Sequence, residues 1–182
     1  MRHLNIIRSI LLIISIFLIT SCSNNSAMKP EDFKNKEPRL IIEEYLTGNV
    51  KAWGVLQNRS GKVTRQFSAD LDGTWDGKQL ILKEKFNWDD GEVQNREWTI
   101  NKINENNYEG RAGDVVGKAI GYSYGPAFKF EYVLLVPVKG KEMKITFDDW
   151  IFKQDDRVAI NRATMTKFGI KVAELTVVFV KD

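Results

Sequence analysis

The sequence predicts an all-β antiparallel barrel of about nine strands, preceded by one short helix. From Val50 onward, polar and apolar residues alternate with a period of two, and turn signals recur about every ten residues. This pattern is typical of antiparallel sandwiches and barrels. Closure is favoured because a closed barrel leaves no unpaired sheet edge. Residues that typically begin and end a helix bracket one segment, residues 38–46, before the alternation begins.

The first residues have the organisation of a secretory signal. Arg2 and Arg8 form a basic start, residues 10–19 are apolar, and small residues precede Cys22, the only cysteine. The apolar run is shorter than the roughly 20 residues that span a bilayer, which argues against an uncleaved membrane anchor. We therefore predict a signal peptide over residues 1–21. Small residues directly before a single cysteine are typical of bacterial lipoproteins, so we predict that Cys22 carries lipid (palmitate).

Two alternatives for Cys22 are a free thiol and an intermolecular disulfide. If the cysteine is lipidated, the residue after it indicates which membrane the lipoprotein is sorted to. In Gram-negative lipoproteins an Asp at that position tends to retain the protein at the inner membrane, whereas this chain has Ser23. We therefore expect an outer-membrane lipoprotein of the cell envelope whose domain faces the periplasm.

Processing at Cys22 also restricts the chemistry. Cleavage removes His3, the only histidine, and lipidation uses the only thiol. A Ser-His-Asp triad, a Cys-His dyad and a Cys/His zinc site are therefore excluded. Neither a phosphate loop nor a dinucleotide fingerprint is found, so we expect no cofactor. A calcium site made of oxygen ligands stays open, but the EF-hand spacing is absent, and we expect no metal.

Charge argues against nucleic acid as a partner. Loss of Arg2 and Arg8 lowers the formal charge from +3 to +1, because residues 1–21 contain no acidic side chain. The chain also has no dense block of Lys and Arg. Beyond the membrane contact through Cys22, we expect a hydrophobic small molecule or a lipid as partner, and the sequence identifies no protein partner.

Residues 22–37 are polar and predict a lipidated tether, and residues 38–182 predict one barrel domain. Pro38 at the start and Gly48 just past the end favour a helix over residues 38–46. The predicted strands lie near 51–58, 62–71, 78–88, 92–101, 107–114, 126–138, 142–154, 158–167 and 171–181.

The segment Gly110–Gly125 contains repeated glycines at a spacing of four residues. Glycines in a strand region mark bulges, corners or close backbone approach. We interpret this segment as barrel corners. A kinked strand or a flap over the barrel mouth is the alternative.

Two hairpins can be registered from their side chains. Centring the first on Asp90 places Glu84 opposite Arg96, on a face that is otherwise apolar. With residues 139–142 as its loop, the second places Tyr132 opposite Asp149. The predicted pairs are Leu80–Ile100, Leu82–Trp98, Glu84–Arg96 and Phe86–Gln94 in the first, and Phe130–Ile151, Tyr132–Asp149, Leu134–Phe147 and Val136–Ile145 in the second.

Glu84, Arg96 and Asp149 are thus candidates for charged groups inside the barrel. An unpaired buried charge is costly, so they should pair with one another or with Tyr132. Three interpretations stay open: a buried ion pair that fixes the register, a polar floor for the head group of an amphiphilic ligand, and acid–base catalysis by Glu84 or Asp149. In the second interpretation the cavity is lined by Phe86, Trp98, Phe130, Tyr132, Leu134 and Phe147.

Short motifs along the chain carry a family resemblance. They are Leu82-x-Glu84-x-Phe86, Asp90-Gly91, Arg96-x-Trp98, Tyr108-x-Gly110, Asp114-x-x-Gly117-x-Ala119-x-Gly121, Asp149-Trp150, Asn161-Arg162 and Met165-x-Lys167-x-Gly169. In order and spacing they are similar to the domain of unknown function 3833 family, over roughly residues 30–181. The resemblance implies a Gram-negative envelope lipoprotein with a lipocalin-like β-barrel. It implies no established activity and therefore no catalytic residues.

Three functions follow as expectations. The first is a lipid-anchored periplasmic barrel that binds a lipid or other hydrophobic ligand. The second is a non-enzymatic envelope assembly or maintenance factor with a filled barrel and a protein-binding rim. The third is a small barrel enzyme that acts on a lipophilic substrate with carboxylates. A hollow interior favours the first function, and a filled interior favours the second.

Overall fold

A computed structural model describes residues 27–138 and 140–182 of the chain. The predicted signal peptide, the predicted lipidation site Cys22 and the first part of the predicted tether lie outside these residues. Ten antiparallel strands close into a barrel, each strand paired with its neighbours along the chain and the first with the last. The strands are β1 (Gly48–Asn58), β2 (Val63–Trp75), β3 (Gln79–Trp88), β4 (Val93–Lys102), β5 (Asn107–Arg111), β6 (Ala119–Tyr124), β7 (Ala127–Val138), β8 (Lys141–Lys153), β9 (Val158–Lys167) and β10 (Ile170–Lys181).

The all-β closed barrel is confirmed, but the predicted count of about nine strands is wrong. The missed strand is β6, which lies inside the glycine-rich segment that we interpreted as corners. Its inward positions are Ala119, Gly121 and Ser123, all buried. They are small because large rings fill the interior there: a Cβ on Gly121 would lie 3.0 Å from the Phe128 ring. The strand therefore alternates small and large residues rather than polar and apolar ones.

The predicted helix over residues 38–46 is mostly wrong. Only one turn, α1 (Ile42–Tyr45), is helical, and a 3-10 turn at Pro30–Phe33 precedes it. Leu40 cannot join the helix because its backbone is bonded to the barrel. Its N–H donates to the carbonyl of Gly125 at 2.8 Å, and the Ser123 hydroxyl donates to its carbonyl at 3.0 Å.

Residues 40–46 form a plug that covers one end of the barrel. Leu40, Ile42, Tyr45 and Leu46 are all buried in the core. Glu43 is buried as well, with 4% of its surface exposed. It pairs with Lys102 of β4 and accepts a hydrogen bond from the Tyr108 hydroxyl of β5 at 2.9 Å. Burial alone would raise the pKa of Glu43, but the hydrogen bonds from Lys102 and Tyr108 outweigh it and keep the pKa below its ordinary value.

The first predicted hairpin register is confirmed, with Glu84 opposite Arg96 and Leu82 opposite Trp98. The second is wrong by two residues. Tyr132 lies opposite Phe147, because the strands continue to the Val138–Lys141 pair and leave only a two-residue loop. Such a loop needs a positive φ, which Gly140 supplies at 75°. A shift of two keeps every side chain on its predicted face.

The two ends of the barrel differ. The plug closes one end, and the turns between β2 and β3, β4 and β5, β6 and β7, and β8 and β9 surround it. The other end, which we call the open end, carries the remaining five connections. The residues of the hydrophobic core come from most of the chain, from Leu40 in the plug to Val177 in β10. Because the described residues supply this core, we expect residues 22–182 to fold without the signal peptide.

Candidate ligand-binding site

Arg96 is the central charged group of the interior. It projects inward from β4, with 15% of its side chain exposed. Its Nε and Nη2 donate to Oδ2 of Asp114 at 3.1 and 2.7 Å. Glu84, on the neighbouring β3, lies farther away, with 3.8 Å between its Oε2 and Nη1 of Arg96. The predicted Glu84–Arg96 neighbours are therefore present, but the main partner of Arg96 is Asp114.

Asp114 reaches the interior from the loop between β5 and β6. That loop is bonded to the edge of β7: the N–H of Val116 donates to Val133 at 2.8 Å, and the N–H of Leu135 donates to the carbonyl of Asp114 at 2.9 Å. Asp114 was not predicted as a site residue. Its signals were its place in the family motif that begins at Asp114 and a single carboxylate in a segment of glycine and apolar residues, which has no period that defines a face.

Asp149 forms a second polar group beside the first. The Tyr132 hydroxyl donates to its Oδ2 at 2.8 Å, which is one of the pairings that the sequence left open, although the two residues are not directly opposite each other. The amide of Asn161 donates to its Oδ1 and also to the carbonyl of Trp150, the latter at 3.1 Å. Asn161 was missed as a site residue. Its signal was a polar side chain between the inward-facing Ala159 and Ala163 of β9.

Carboxylates outnumber cations in this cluster. Burial raises the pKa of Glu84 to about 7, although Arg96 opposes the shift. Burial also raises the pKa of Asp149, against the hydrogen bonds from Tyr132 and Asn161. Both shifts favour the protonated form of these two carboxyl groups. Two of its buried oxygens, Oε2 of Glu84 and Oδ1 of Asp114, have no hydrogen-bond partner among the described residues.

The pKa of Glu84 predicts how stability depends on pH. It is about 7 in the folded protein and 4.5 in an ordinary environment, so between these values the folded state binds more protons than the unfolded state. The free energy of unfolding should therefore fall as the pH rises through this window, by on the order of 3 kcal/mol. We expect Glu84→Gln to lose most of this slope, as measured by urea unfolding at about pH 5 and pH 8. Asp149 contributes a residual slope of the same sign. If the free energy of unfolding changed equally with pH in the wild type and in Glu84→Gln, the pH dependence would not come from Glu84.

The described residues enclose an inner cavity and a mouth cavity in the interior of the barrel. The inner cavity, beneath the plug, has a volume of about 100 Å³. The mouth cavity, at the open end, has a volume of about 230 Å³. Of the predicted lining residues, Glu84, Trp98, Phe130 and Asp149 line the inner cavity, Leu134 and Phe147 line the mouth cavity, and Phe86, Arg96 and Tyr132 line both.

Aromatic side chains separate the two cavities. The ring of Tyr132 stacks on that of Phe147, with 5.0 Å between centroids and 11° between planes. The ring of Phe86 meets that of Phe67 edge-on at 5.2 Å. Phe67, Phe86, Tyr132 and Arg96 line both cavities and therefore lie between them. Arg96 and its partner Asp114 form the charged floor of the mouth cavity. The mouth cavity thus has aromatic and aliphatic walls and a charged floor.

Polar groups of several kinds face the interior. They are the carboxylates of Glu84, Asp114 and Asp149, the guanidinium of Arg96 and the phenol of Tyr132, all of which can form hydrogen bonds with organic molecules. Within residues 27–138 and 140–182, no group of three or more His, Cys, Asp or Glu side chains is arranged to hold a metal ion. In the same residues, no helix has the length and apolarity needed to cross a membrane.

Solved structures share the fold. The S-type phycobiliprotein lyase CPES from Guillardia theta aligns with a TM-score of 0.58 and 11% identity, over 77% of this chain and 90% of that chain. A protein of unknown function of the DUF3598 family from Nostoc punctiforme aligns with a TM-score of 0.59 and 15% identity, over 81% of this chain. The alignment spans 51% of that longer protein. At these identities the likeness shows the barrel fold alone.

No curated protein matches the chain significantly. The family described as "Protein of unknown function (DUF3833)" matches residues 16–181, which include the whole barrel. This match agrees with the resemblance carried by the short motifs around Glu84, Arg96 and Asp149. The chain therefore belongs to the DUF3833 family.

Proposed function

We propose that this protein is a lipocalin-like container that binds a lipid or other hydrophobic ligand through its open end. The observation that carries the proposal is the mouth cavity of about 230 Å³, which combines apolar walls with the charged floor of Arg96 and Asp114. Ligand sites in proteins are typically concave and mostly apolar, with a few polar groups that orient the ligand. The apolar part of the ligand would contact Leu134, Phe147 and Met165.

The floor favours a head group that donates hydrogen bonds. Nε and Nη2 of Arg96 already donate to Oδ2 of Asp114. Oδ1 of Asp114, which lines the mouth cavity, and Oε2 of Glu84, which lines the inner cavity, lack hydrogen-bond partners among the described residues. A hydroxyl, an amide N–H or an ammonium group can supply the missing donor, which would remove the cost of a buried unsatisfied acceptor. A carboxylate head group, in contrast, would be repelled by the carboxylates of the cluster, which outnumber its cation.

The volumes limit the size of the ligand. Each cavity is smaller than the roughly 300–1,000 Å³ of typical small-molecule sites. The two cavities share Phe86, Arg96 and Tyr132 as walls, so rotation of these side chains would join them. We therefore expect a small amphiphile or one acyl chain rather than a whole multi-chain lipid.

We also propose that Cys22 anchors the barrel to the outer membrane, with the domain in the periplasm. Support comes from the basic start, the short apolar run and the small residues before the cysteine, with Ser23 after it. In this arrangement the container works next to a source of lipid.

Native mass spectrometry of the full protein, purified from membranes in two different detergents, tests both proposals. We expect a chain that begins at a lipid-modified Cys22 and carries a non-covalent adduct whose mass is the same in both detergents. Met165→Trp fills the mouth cavity and should abolish the adduct. Thr164→Trp, which points outward from the same strand, is the matched control.

The outcomes separate the alternatives. An adduct that Met165→Trp does not affect would place the ligand elsewhere. A wild-type protein without any adduct would favour the second function, the envelope assembly factor. An unmodified Cys22 would overturn the anchor but not the container.

A further inference from the structure

We propose that one half of the open end docks on the surface of an anionic phospholipid membrane. This half comprises the tips of the hairpins β1–β2, β7–β8 and β9–β10, which we call the basic rim. The three tips are neighbours because β10 pairs with β1 and β8 pairs with β9. The proposal concerns the outer surface of the barrel and holds whether or not the interior binds a ligand.

Each tip of the basic rim exposes apolar side chains to solvent. Val63, Val138 and Ile170 are exposed, and Phe168 is 94% exposed. A single exposed apolar residue needs no explanation, but apolar residues on three adjacent tips form a common surface. Because the three tips lie side by side around the mouth, a partner would contact them from beyond the open end of the barrel.

Phe168 is the most informative residue of this surface. Phe168 and Gly169 form the two-residue turn between β9 and β10, with φ of 51° and 76°. Such turns normally contain Asn, Asp or Gly, and a bulky residue with positive φ is strained. The side chain does not recover this cost by burial; its ring is contacted by the ammonium of Lys167, 5.3 Å from the centroid. A contact outside the chain accounts for a phenylalanine at this position.

The charges of the basic rim identify the partner. Its tips carry the cations Arg59, Lys62, Lys141 and Lys167. They also carry Lys171, which pairs with Glu174, and the acid Glu142. The charge is local, since the mature chain has a formal charge of only +1. The next tip around the mouth, that of β3–β4, carries Asp89, Asp90 and Glu92, and two of these acids, Asp90 and Glu92, pair with Arg65 of β2. Apolar side chains flanked by lysines suit a membrane surface, where the apolar groups enter the acyl region and the ammonium groups meet lipid phosphates.

Vesicle sedimentation tests the proposal. The mature chain, residues 22–182 with Cys22→Ser, is used so that an attached lipid cannot supply the binding. We expect it to sediment with vesicles of phosphatidylglycerol and phosphatidylethanolamine, and about tenfold less with phosphatidylcholine vesicles or in high salt.

Phe168→Asn separates a membrane role from a structural one. Asn suits the positive φ, so the melting temperature should rise, while vesicle binding should fall about tenfold because a large apolar group is lost. Val93→Ser, at the exposed start of β4 beside the acidic tip, is the control and should leave binding unchanged. Lys62→Glu/Lys141→Glu should also weaken binding, whereas Lys51→Glu/Lys83→Glu, with the same charge change on the barrel wall, should not.

Equal sedimentation with both vesicle types, or no sedimentation, would overturn the proposal. So would unchanged binding by Phe168→Asn. A concentration-dependent dimer that Phe168→Asn abolishes, without vesicle binding, would identify a second copy of the chain as the occupant and refute the membrane. Loss of the adduct in Met165→Trp with intact vesicle binding would show that container and docking surface are separate properties.

Discussion

Replacing Arg96 with methionine is expected to lower the free energy of unfolding by about 3–5 kcal/mol, because it removes the cation that pairs with buried carboxylates. Asp114 would lose both of its hydrogen bonds from the guanidinium, and Glu84 would lose its nearest positive charge. Methionine keeps much of the length of the side chain, so the loss reports charge rather than volume. Urea denaturation of residues 22–182 measures the effect.

Two further variants make the Arg96 result specific. Arg39→Met breaks an ion pair with Glu105 that is largely exposed, and should cost no more than about 1 kcal/mol. Adding Glu84→Gln and Asp114→Asn to Arg96→Met removes the stranded charges together and should recover much of the loss. If Arg96→Met cost no more than Arg39→Met, the cluster would not be a buried charge network.

Gly73→Ala is expected to displace the plug and to cost about 3 kcal/mol, at the upper end for overpacking. A Cβ on Gly73 would overlap the carbonyl oxygen of Leu46 and lie 2.8 Å from its carbonyl carbon. Both are backbone atoms, so no side-chain rotation relieves the overlap. The plug must move, which exposes Leu40 and Ile42.

The measurement for Gly73→Ala combines urea denaturation with amide hydrogen exchange. The N–H of Leu46, bonded to Ile42 at 2.9 Å, should exchange faster in the variant. Gly113→Ala is the matched control, because a Cβ there meets no atom within 4 Å. Similar losses for both variants would mean that the plug is not held by close approach to β2.

The faces of the strands could be predicted because the period of two is a local property. Glu84 and Arg96 were placed side by side from the position of one turn, and the structure agrees. In the second hairpin the wrong loop length shifted the register by two residues, yet the prediction that Asp149 faces inward stood because that shift preserves the face. Strand β6 was missed because its inward face is made of small residues, which are not recognisable as an apolar row.

The all-β barrel, the inward row that carries Glu84 and Arg96, and the family all follow from the amino-acid sequence alone. Three features required the folded structure: Asp114 pairs with Arg96, the plug seals one end, and the interior divides into two cavities. Alternation and turns are encoded in adjacent residues. The position of a loop or of a plug, in contrast, depends on contacts between residues far apart in the chain, which leave no period in the sequence.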